Sequence, residues 1–513
     1  QKQHRNDTDF IWQNLSKPAS GQFLNGQAIP QPSTDSFQLY GANVEYEAGV
    51  VTLFSGTSFF RRQNPSTLDY TTYGAELLGV DHRAGYVAGV TIPARAHNSQ
   101  SIFTQEFRAQ SADGGKFRWV AGIFYQNARQ RAEEQIDGGG AEILARAVFG
   151  TTVDGLFGIP LVQPGNLLFH ASDLAVDRQL AGFGQVDFDV ISGLTATAGL
   201  RVTRTQLRSY NAQGGPFNGG ETGSTASHSE TPLTPKFGLQ YRVSPEVLLY
   251  TSVARGFRAG GGNSAVPANS CQLDLSSLGL DRAPDSYRPD SLWSYEIGAK
   301  ASAFEEQLRV AGSIFRVDWE NVQSAVPLSH CGFAYIDNLG TARSEGFDLQ
   351  VALSPMFGLT VSGAVAYTDA HSQATIFGAV ASSGKHEVLV SKGDPMNVAP
   401  WKISLSADYE IPFLSTQTGH VYVRGNYHYS SGYAFGGSSN IGYDPYNNRQ
   451  EATHIAGMQV GFRNSSVGAA LFADNLLNSR DRLATGHNMV SSSLFREAIF
   501  RPRTIGVEMS YQY

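Results

Sequence analysis

The C-terminal stretch Phe500–Tyr513, FRPRTIGVEMSYQY, alternates two chemical classes residue by residue and stops at an aromatic. This pattern predicts a β-strand. Ile505, Val507, Met509, Tyr511 and Tyr513 fall on one face and Thr504, Gly506, Glu508, Ser510 and Gln512 on the other, because successive strand side chains point oppositely. In a soluble sandwich the apolar face meets a second sheet, whereas in a membrane barrel it meets lipid and the polar face lines a wet lumen. The strand alone leaves both architectures open.

With 55 Gly and only 5 Met in 513 residues, the chain suits sheets and turns better than long helices. No apolar run approaches the roughly 18 residues of a membrane helix, so a membrane reading requires strands. The net charge of -7, with no Lys/Arg cluster, gives no support to a nucleic-acid partner. Gln1 opens without a charged n-region and an apolar h-region, so any export signal is expected to be removed or to lie upstream.

The chain repeats one unit: an alternating segment, a short turn, a second alternating segment, then a long polar stretch. Short connections read at Glu47–Gly49, Ala112–Gly115, Ile191–Gly193, Ser244–Glu246, Ala303–Glu306, Ser354–Gly358, Pro412–Gly419 and Arg463–Ser466. Long ones read at Lys17–Asp35, Gln63–His97, Ile136–Leu174, Asn211–Ser227, Ala259–Pro289, Asn321–Asn338, Ala370–Gly393, Ala434–Arg449 and Asn475–Arg496. Short turns at one end and long loops at the other are the habit of outer-membrane barrels, and a sandwich has no reason for it. The expected fold is therefore all-β, a transmembrane antiparallel β-barrel with short periplasmic turns and long extracellular loops. About 18 strands are visible, the first being Lys2–Phe10, and most are near the roughly 10 residues that a tilted strand needs.

Arg or Lys turned toward lipid at mid-membrane costs roughly 2 to 4 kcal/mol, enough to fix each strand's register. Arg201, Lys402, Arg424, Asn426, His428, Glu508 and Gln512 are thus expected to line the lumen, and Leu200, Val421, Val423, Val507 and Met509 to face lipid. Outward aromatics near strand ends, such as Tyr427 and Tyr429, suit an interfacial girdle. Tyr433, Phe435, Tyr443 and Tyr446 cluster nearby, and those in the loop serve a girdle or a ligand-stacking surface equally well.

The segments Thr231–Asn263, Arg288–Val322, Asn338–Asp369 and the run Ala473–Asn478 resemble the barrel of TonB-dependent outer-membrane receptors, and the resemblance covers nearly the whole chain. It implies a barrel of about 22 strands closed by an N-terminal plug, energised by TonB through a TonB box. This chain departs from that pattern because no plug precedes the barrel and Thr34–Gln63 looks like the family's third strand pair. The plug and about four strands are then expected upstream, making the chain the C-terminal part of a longer receptor. Without them the alternative is an 18-stranded diffusion porin. The resemblance implies uptake of a scarce solute, with ferric siderophores, cobalamin and oligosaccharides all fitting. Implied partners are the TonB complex, outer-membrane lipid and lipopolysaccharide, and the barrel-assembly machinery at the last strand, with no cofactor.

A secreted all-β enzyme acting on glycans is the rival class. The P-loop-like stretch Gly378–His386 has the wrong spacing, and the sequence contains neither Gly-x-Ser-x-Gly nor His-Glu-x-x-His. The 12 His show no metal-ligand spacing, so no metal site is expected. Asp187 and Asp189 share the polar face of one strand, where a wetted wall accounts for them as simply as a glycosidase pair does. Gly260–Gly262 opens a polar stretch with no helix signal and reads as flexible loop. No catalytic residue is assigned, and the chain reads as a transporter rather than an enzyme. Cys271 and Cys331 fall in consecutive long loops at the same oxidising end and are expected to form a disulfide.

Overall fold

The computed structural model describes residues 1–7, 10–14, 27–80, 89–112, 114–264, 266–267, 270–381, 384–416, 418–486 and 494–512. The expectation for Tyr513 lies outside them. Its frame is an antiparallel sheet of 19 strands. Two of these, Thr222–Glu230 and Leu233–Ser244, are consecutive halves opposite the same partner, so 19 minus 1 leaves 18 staves.

In chain order the staves are β1 (Lys2–Arg5), β2 (Ser33–Ala48), β3 (Val51–Asp69), β4 (Pro93–Ser111), β5 (Phe117–Asp137), β6 (Leu167–Ile191), β7 (Leu194–Gly214) and the two-part β8 (Thr222–Glu230, Leu233–Ser244). They continue as β9 (Val247–Arg258), β10 (Asp290–Ala303), β11 (Leu308–Glu320), β12 (Thr341–Met356), β13 (Leu359–Ser372), β14 (Trp401–Glu410), β15 (Gly419–Ser430), β16 (Thr453–Asn464), β17 (Val467–Asp474) and β18 (Thr504–Tyr511). Each pairs antiparallel with its neighbour in this order. Tight turns close one end, as at Gly49 and Gly193, where φ of +68° and +81° is available to glycine at little cost.

The sheet curls. Strand Phe10–Asn14, beyond β1, pairs with Leu494–Ile499, just before β18, so the two ends of the sheet meet at the loop side. This corrects the first expected strand: only Lys2–Arg5 joins the frame, and Phe10 belongs to the three-stranded loop sheet. Three expected loops are also shorter than read. β3 runs to Asp69, β6 starts at Leu167 and β7 reaches Gly214, inside the stretches Gln63–His97, Ile136–Leu174 and Asn211–Ser227. At 19, 25 and 21 residues these strands outrun the roughly 10 that the membrane needs. Above the bilayer both faces meet water, so alternation fades although the ladder continues.

Loop segments build two apolar cores over the mouth. One joins the helix Thr71–Leu77, the segment Val90–Ala94, the helix Gly139–Leu144 and Phe217, with Ile92 and Ala141 fully buried. The other joins the helix Gln272–Ser277 to the hairpin Gln323–Leu328/Phe333–Asn338 around Leu275, Val326 and Leu328. The Cys271–Cys331 disulfide lies inside the second core, bridging 60 residues with Cα atoms 5.2 Å apart. Gly260–Gly262 is not free loop: Gly261 and Gly262 pair with Tyr287 and Ser286, and a Cβ on Gly260 would meet the Tyr287 carbonyl oxygen at 2.7 Å.

Candidate functional site at the extracellular mouth

Between the two loop cores lies a cavity of about 480 Å³, lined by Tyr70, Tyr73, Glu134, Asp173, Gln213 and Phe333 among others. Tyr70 links β3 to the helix Thr71–Leu77, and its backbone N–H donates to the Ile92 carbonyl at 3.0 Å. Asp69 Oδ1 accepts from the Thr71 N–H at 3.0 Å and the buried Thr71 hydroxyl accepts from the Ile92 N–H at 3.0 Å, so polar locks fix where the helix begins. Tyr73, one turn on, meets Tyr70 edge to face at 5.5 Å.

Glu134 and Asp173 come from the lumen faces of β5 and β6, well above the membrane. Burial holds both carboxyls above the usual carboxylate range. The Tyr70 hydroxyl donates to Glu134, and the Ser264 hydroxyl donates to Asp173 at 3.1 Å; each opposes the rise. Burial first, then the negative charge of Glu134, pushes the Tyr70 and Tyr73 phenols far up, so both stay neutral donors. Two polar atoms of this lining, Glu134 Oε1 and Gln213 Nε2, are buried without a partner. An orphan acceptor and an orphan donor in one cavity are what a polar ligand would satisfy.

The far wall is equally braced. The buried Asp274 carboxylate accepts from the His330 and Cys331 N–H groups at 3.1 and 3.2 Å, which fixes the turn carrying Gly332 and Phe333. Asn263 binds the Ile336 N–H at 2.8 Å and the Ile336 carbonyl at 2.9 Å. The Ser270 hydroxyl reaches the Phe217 carbonyl at 2.7 Å and ties one loop core to the other. Among the described residues no group of three or more His, Cys, Asp or Glu is placed to hold a metal ion.

Register puts the wall residues read from sequence on two separate faces. Arg201 lies over the rings of Phe124 and Phe183, at 5.2 and 5.8 Å, on the face opposite exposed Leu200. Arg424 pairs with Asp408 at 2.6 Å, His428 meets Ser404 at 3.0 Å, and Gln459 donates to Glu508 at 3.2 Å; Lys402 and Asn426 share this face. Val423, Val507 and Met509 take the other, as do Tyr427 and Tyr429 beside His454. Asp187 accepts from Thr197 at 2.5 Å, and Asp189 receives both arms of Arg118 at 2.9 and 2.8 Å, a braced wall rather than a paired acid and base.

Tyr433 and Phe435 stack edge to face at 5.4 Å and Tyr443 accepts from Asn448, whereas Tyr446 is exposed. None of the four lines the cavity described above. Conversely, Tyr70, Glu134 and Asp173 escaped the sequence reading. The one available signal was the carboxylate pair Glu133–Glu134 at the end of an alternating segment, where only one of the two can face inward.

The family model described as TonB dependent receptor-like, beta-barrel, matches residues 2–476. The metal-pseudopaline receptor CntO of Pseudomonas aeruginosa is 30% identical over 155 residues, covering 30% of this chain and 19% of that protein. Among solved structures, the ferric yersiniabactin uptake receptor FyuA from Yersinia pestis superposes with a TM-score of 0.68 at 13% identity, over 96% of this chain and 63% of FyuA. The siderophore receptor PiuA from Acinetobacter baumannii gives 0.61 at 15% identity, over 97% of this chain and 67% of PiuA. The chain thus spans less than two thirds of FyuA and is matched to under a fifth of CntO.

Proposed function

Because the chain belongs to the TonB-dependent receptor family, whose members are outer-membrane proteins of Gram-negative bacteria, we propose that its extracellular cavity captures a metal-bearing, siderophore-like chelate for energised uptake. The observation that carries this reading is the cavity itself. It is roofed by two loop cores, sized within the roughly 300–1,000 Å³ usual for small-molecule sites, and lined by neutral tyrosine donors and by two carboxyls, of which Glu134 keeps an unsatisfied oxygen. Metal arrives as cargo inside the ligand, and the protein supplies aromatic walls and hydrogen bonds to the chelator. The likeness of one segment to a metal-pseudopaline receptor supports this ligand class over cobalamin or oligosaccharide.

Uptake in this reading runs through a plug contacted by TonB, and further strands complete the wall between β2 and β18. The Phe37 N–H bonds the Gln1 carbonyl at 3.0 Å, and beyond that point β2 has no partner on its β1 side among the described residues; nor has β18 on the side away from β17. The reading is tested by deleting the gene and measuring growth on metal chelates under iron and zinc limitation, with chelate binding to purified receptor in parallel. Unchanged growth together with no chelate bound would sink it.

A further inference from the structure

What the extracellular cavity selects follows from how its floor is laid. On the lumen face of the wall, Glu134 of β5 stands opposite Ala171 of β6, Asp173 stands opposite Ala132, and Gln213 of β7 stands opposite Ala171 from the other side. Ala171 is therefore the low point of the floor, with Glu134 and Gln213 on either side of it and Asp173 two residues along its own strand. Glu134 and Asp173 are diagonal neighbours, with β-carbons about 7 Å apart. The alanines at the other two corners leave the space between the carboxyls open.

Charge around this floor is lopsided. Among the described lining residues, the carboxyls of Asp69, Glu134 and Asp173 are set against one guanidinium, that of Arg496. Asp69 is committed to the protein: its oxygens accept from the backbone N–H groups of Ala28 at 2.5 Å and of Thr71 at 3.0 Å. The other two carboxyls accept from the Tyr70 and Ser264 hydroxyls, and neither makes an ion pair among the described residues. Lower on the lumen wall, by contrast, Glu106, Asp189 and Asp408 each have an arginine, at 3.2, 2.8 and 2.6 Å. The floor also holds the two orphan atoms of the cavity, Glu134 Oε1 and Gln213 Nε2, the second on a residue only 5% exposed.

We propose that the cavity recognises a chelate by a protonated amine carried on its organic scaffold, which sits over Ala171 between Glu134 and Asp173. Such a group donates to the open Glu134 oxygen and to Asp173, and the rings of Tyr70, Tyr73 and Phe333 offer it the negative faces of their π-systems. A carbonyl or hydroxamate oxygen beside the amine accepts from the Gln213 side-chain N–H, so one ligand satisfies both orphan atoms. A polyanionic chelate meets more carboxyls than cations here and is disfavoured by like charge. The inference rests on the uptake reading and adds to it the charge of the cargo.

The test measures binding of three chelates to purified full-length receptor: a linear ferric trihydroxamate ending in a primary amine, the same chelate with that amine acetylated, and a trianionic ferric tris-catecholate. The amine-bearing form is expected to bind at least about tenfold more tightly than the acetylated one, and the tris-catecholate more weakly than either. In Glu134→Gln/Asp173→Asn the advantage of the free amine should shrink to within about twofold. The comparison of the two trihydroxamates is read on the parent protein, so it decides the matter even if the double variant fails the heat-modifiable migration that reports a folded barrel. Equal parental affinity for the two trihydroxamates, tightest binding of the tris-catecholate, or a full amine advantage in a folded double variant would overturn the proposal while leaving chelate capture in place. If none of the three chelates bound, the uptake reading would fall with it.

Discussion

Glu134 sits where two demands collide, since burial favours its protonated form and a cationic or donor-rich ligand favours its ionised form. Its carboxyl and that of Asp173 lie above the usual range because of desolvation, so the folded chain holds these protons more tightly than the unfolded chain does. That contribution to stability is complete below the ordinary carboxylate range and is lost as pH rises through the raised values. Ligand binding runs the other way: it releases protons, and affinity is expected to increase with pH across the same window. Glu134→Gln keeps an acceptor for Tyr70 but removes the charge, so it should flatten this pH profile, raise stability at neutral pH and weaken chelate binding about tenfold. Titrations at several pH values with thermal melts check it, and an unchanged profile in the variant would remove Glu134 from the site. Tyr70→Phe leaves Glu134 without its donor and should push that carboxyl further up, moving the rise in affinity to higher pH.

Elements within the bilayer were legible because lipid enforces alternation: Ile403, Leu405 and Ala407 against Lys402, Ser404 and Ser406 declare β14 from the sequence alone. Above the bilayer that rule lapses. In β5 the run Arg129-Gln130-Arg131-Ala132-Glu133-Glu134 is polar on both faces, so although the sequence keeps it within the strand segment, nothing in it singles out Glu134 as the inward carboxylate. The loop cores were harder still, since Val90, Ile92 and Ala94 look like a scrap of strand until the helices Thr71–Leu77 and Gly139–Leu144 close on them. Register itself is checkable: with Arg424 paired to Asp408 inside, Arg424→Cys should react with a water-soluble thiol reagent and Val423→Cys should not. The reverse result would place β15 on the wrong face. The second loop core depends on a covalent tie. Replacing Cys271 and Cys331 with Ser removes about 4 kcal/mol of loop-entropy restraint across 60 residues. The barrel should still migrate as folded, while proteases cut the hairpin Gln323–Leu328/Phe333–Asn338; uncut loops in the variant would show that burial alone suffices.

At the scale of the molecule, β2 and β18 each leave one margin unpaired among the described residues, and an unpaired margin in hydrocarbon is costly. Bonding alternates along an antiparallel strand, so after Phe37 the N–H and C=O groups of Leu39, Gly41, Asn43, Glu45 and Glu47 face outward from β2 along its length in the bilayer. On β18 the Gln512 N–H bonds back to the Ser466 carbonyl, which leaves those of Ile505, Val507 and Met509 on the free side. Each unsatisfied backbone group in hydrocarbon costs on the order of several kcal/mol, so margins of this length exceed the roughly 5–15 kcal/mol that holds a domain folded. Additional strands pairing with β2 and β18 remove that cost, and they agree with a chain spanning 63% of FyuA's length. In the full-length receptor, amides from Leu39 to Glu47 and from Ile505 to Met509 should therefore be as protected from hydrogen exchange as those of β12 and β13. Planar bilayers should show it electrically silent, because a plug and a complete wall leave no open lumen. Rapid exchange at both margins with steady conductance would mean that 18 strands stand alone as a pore, and the uptake reading would give way to diffusion.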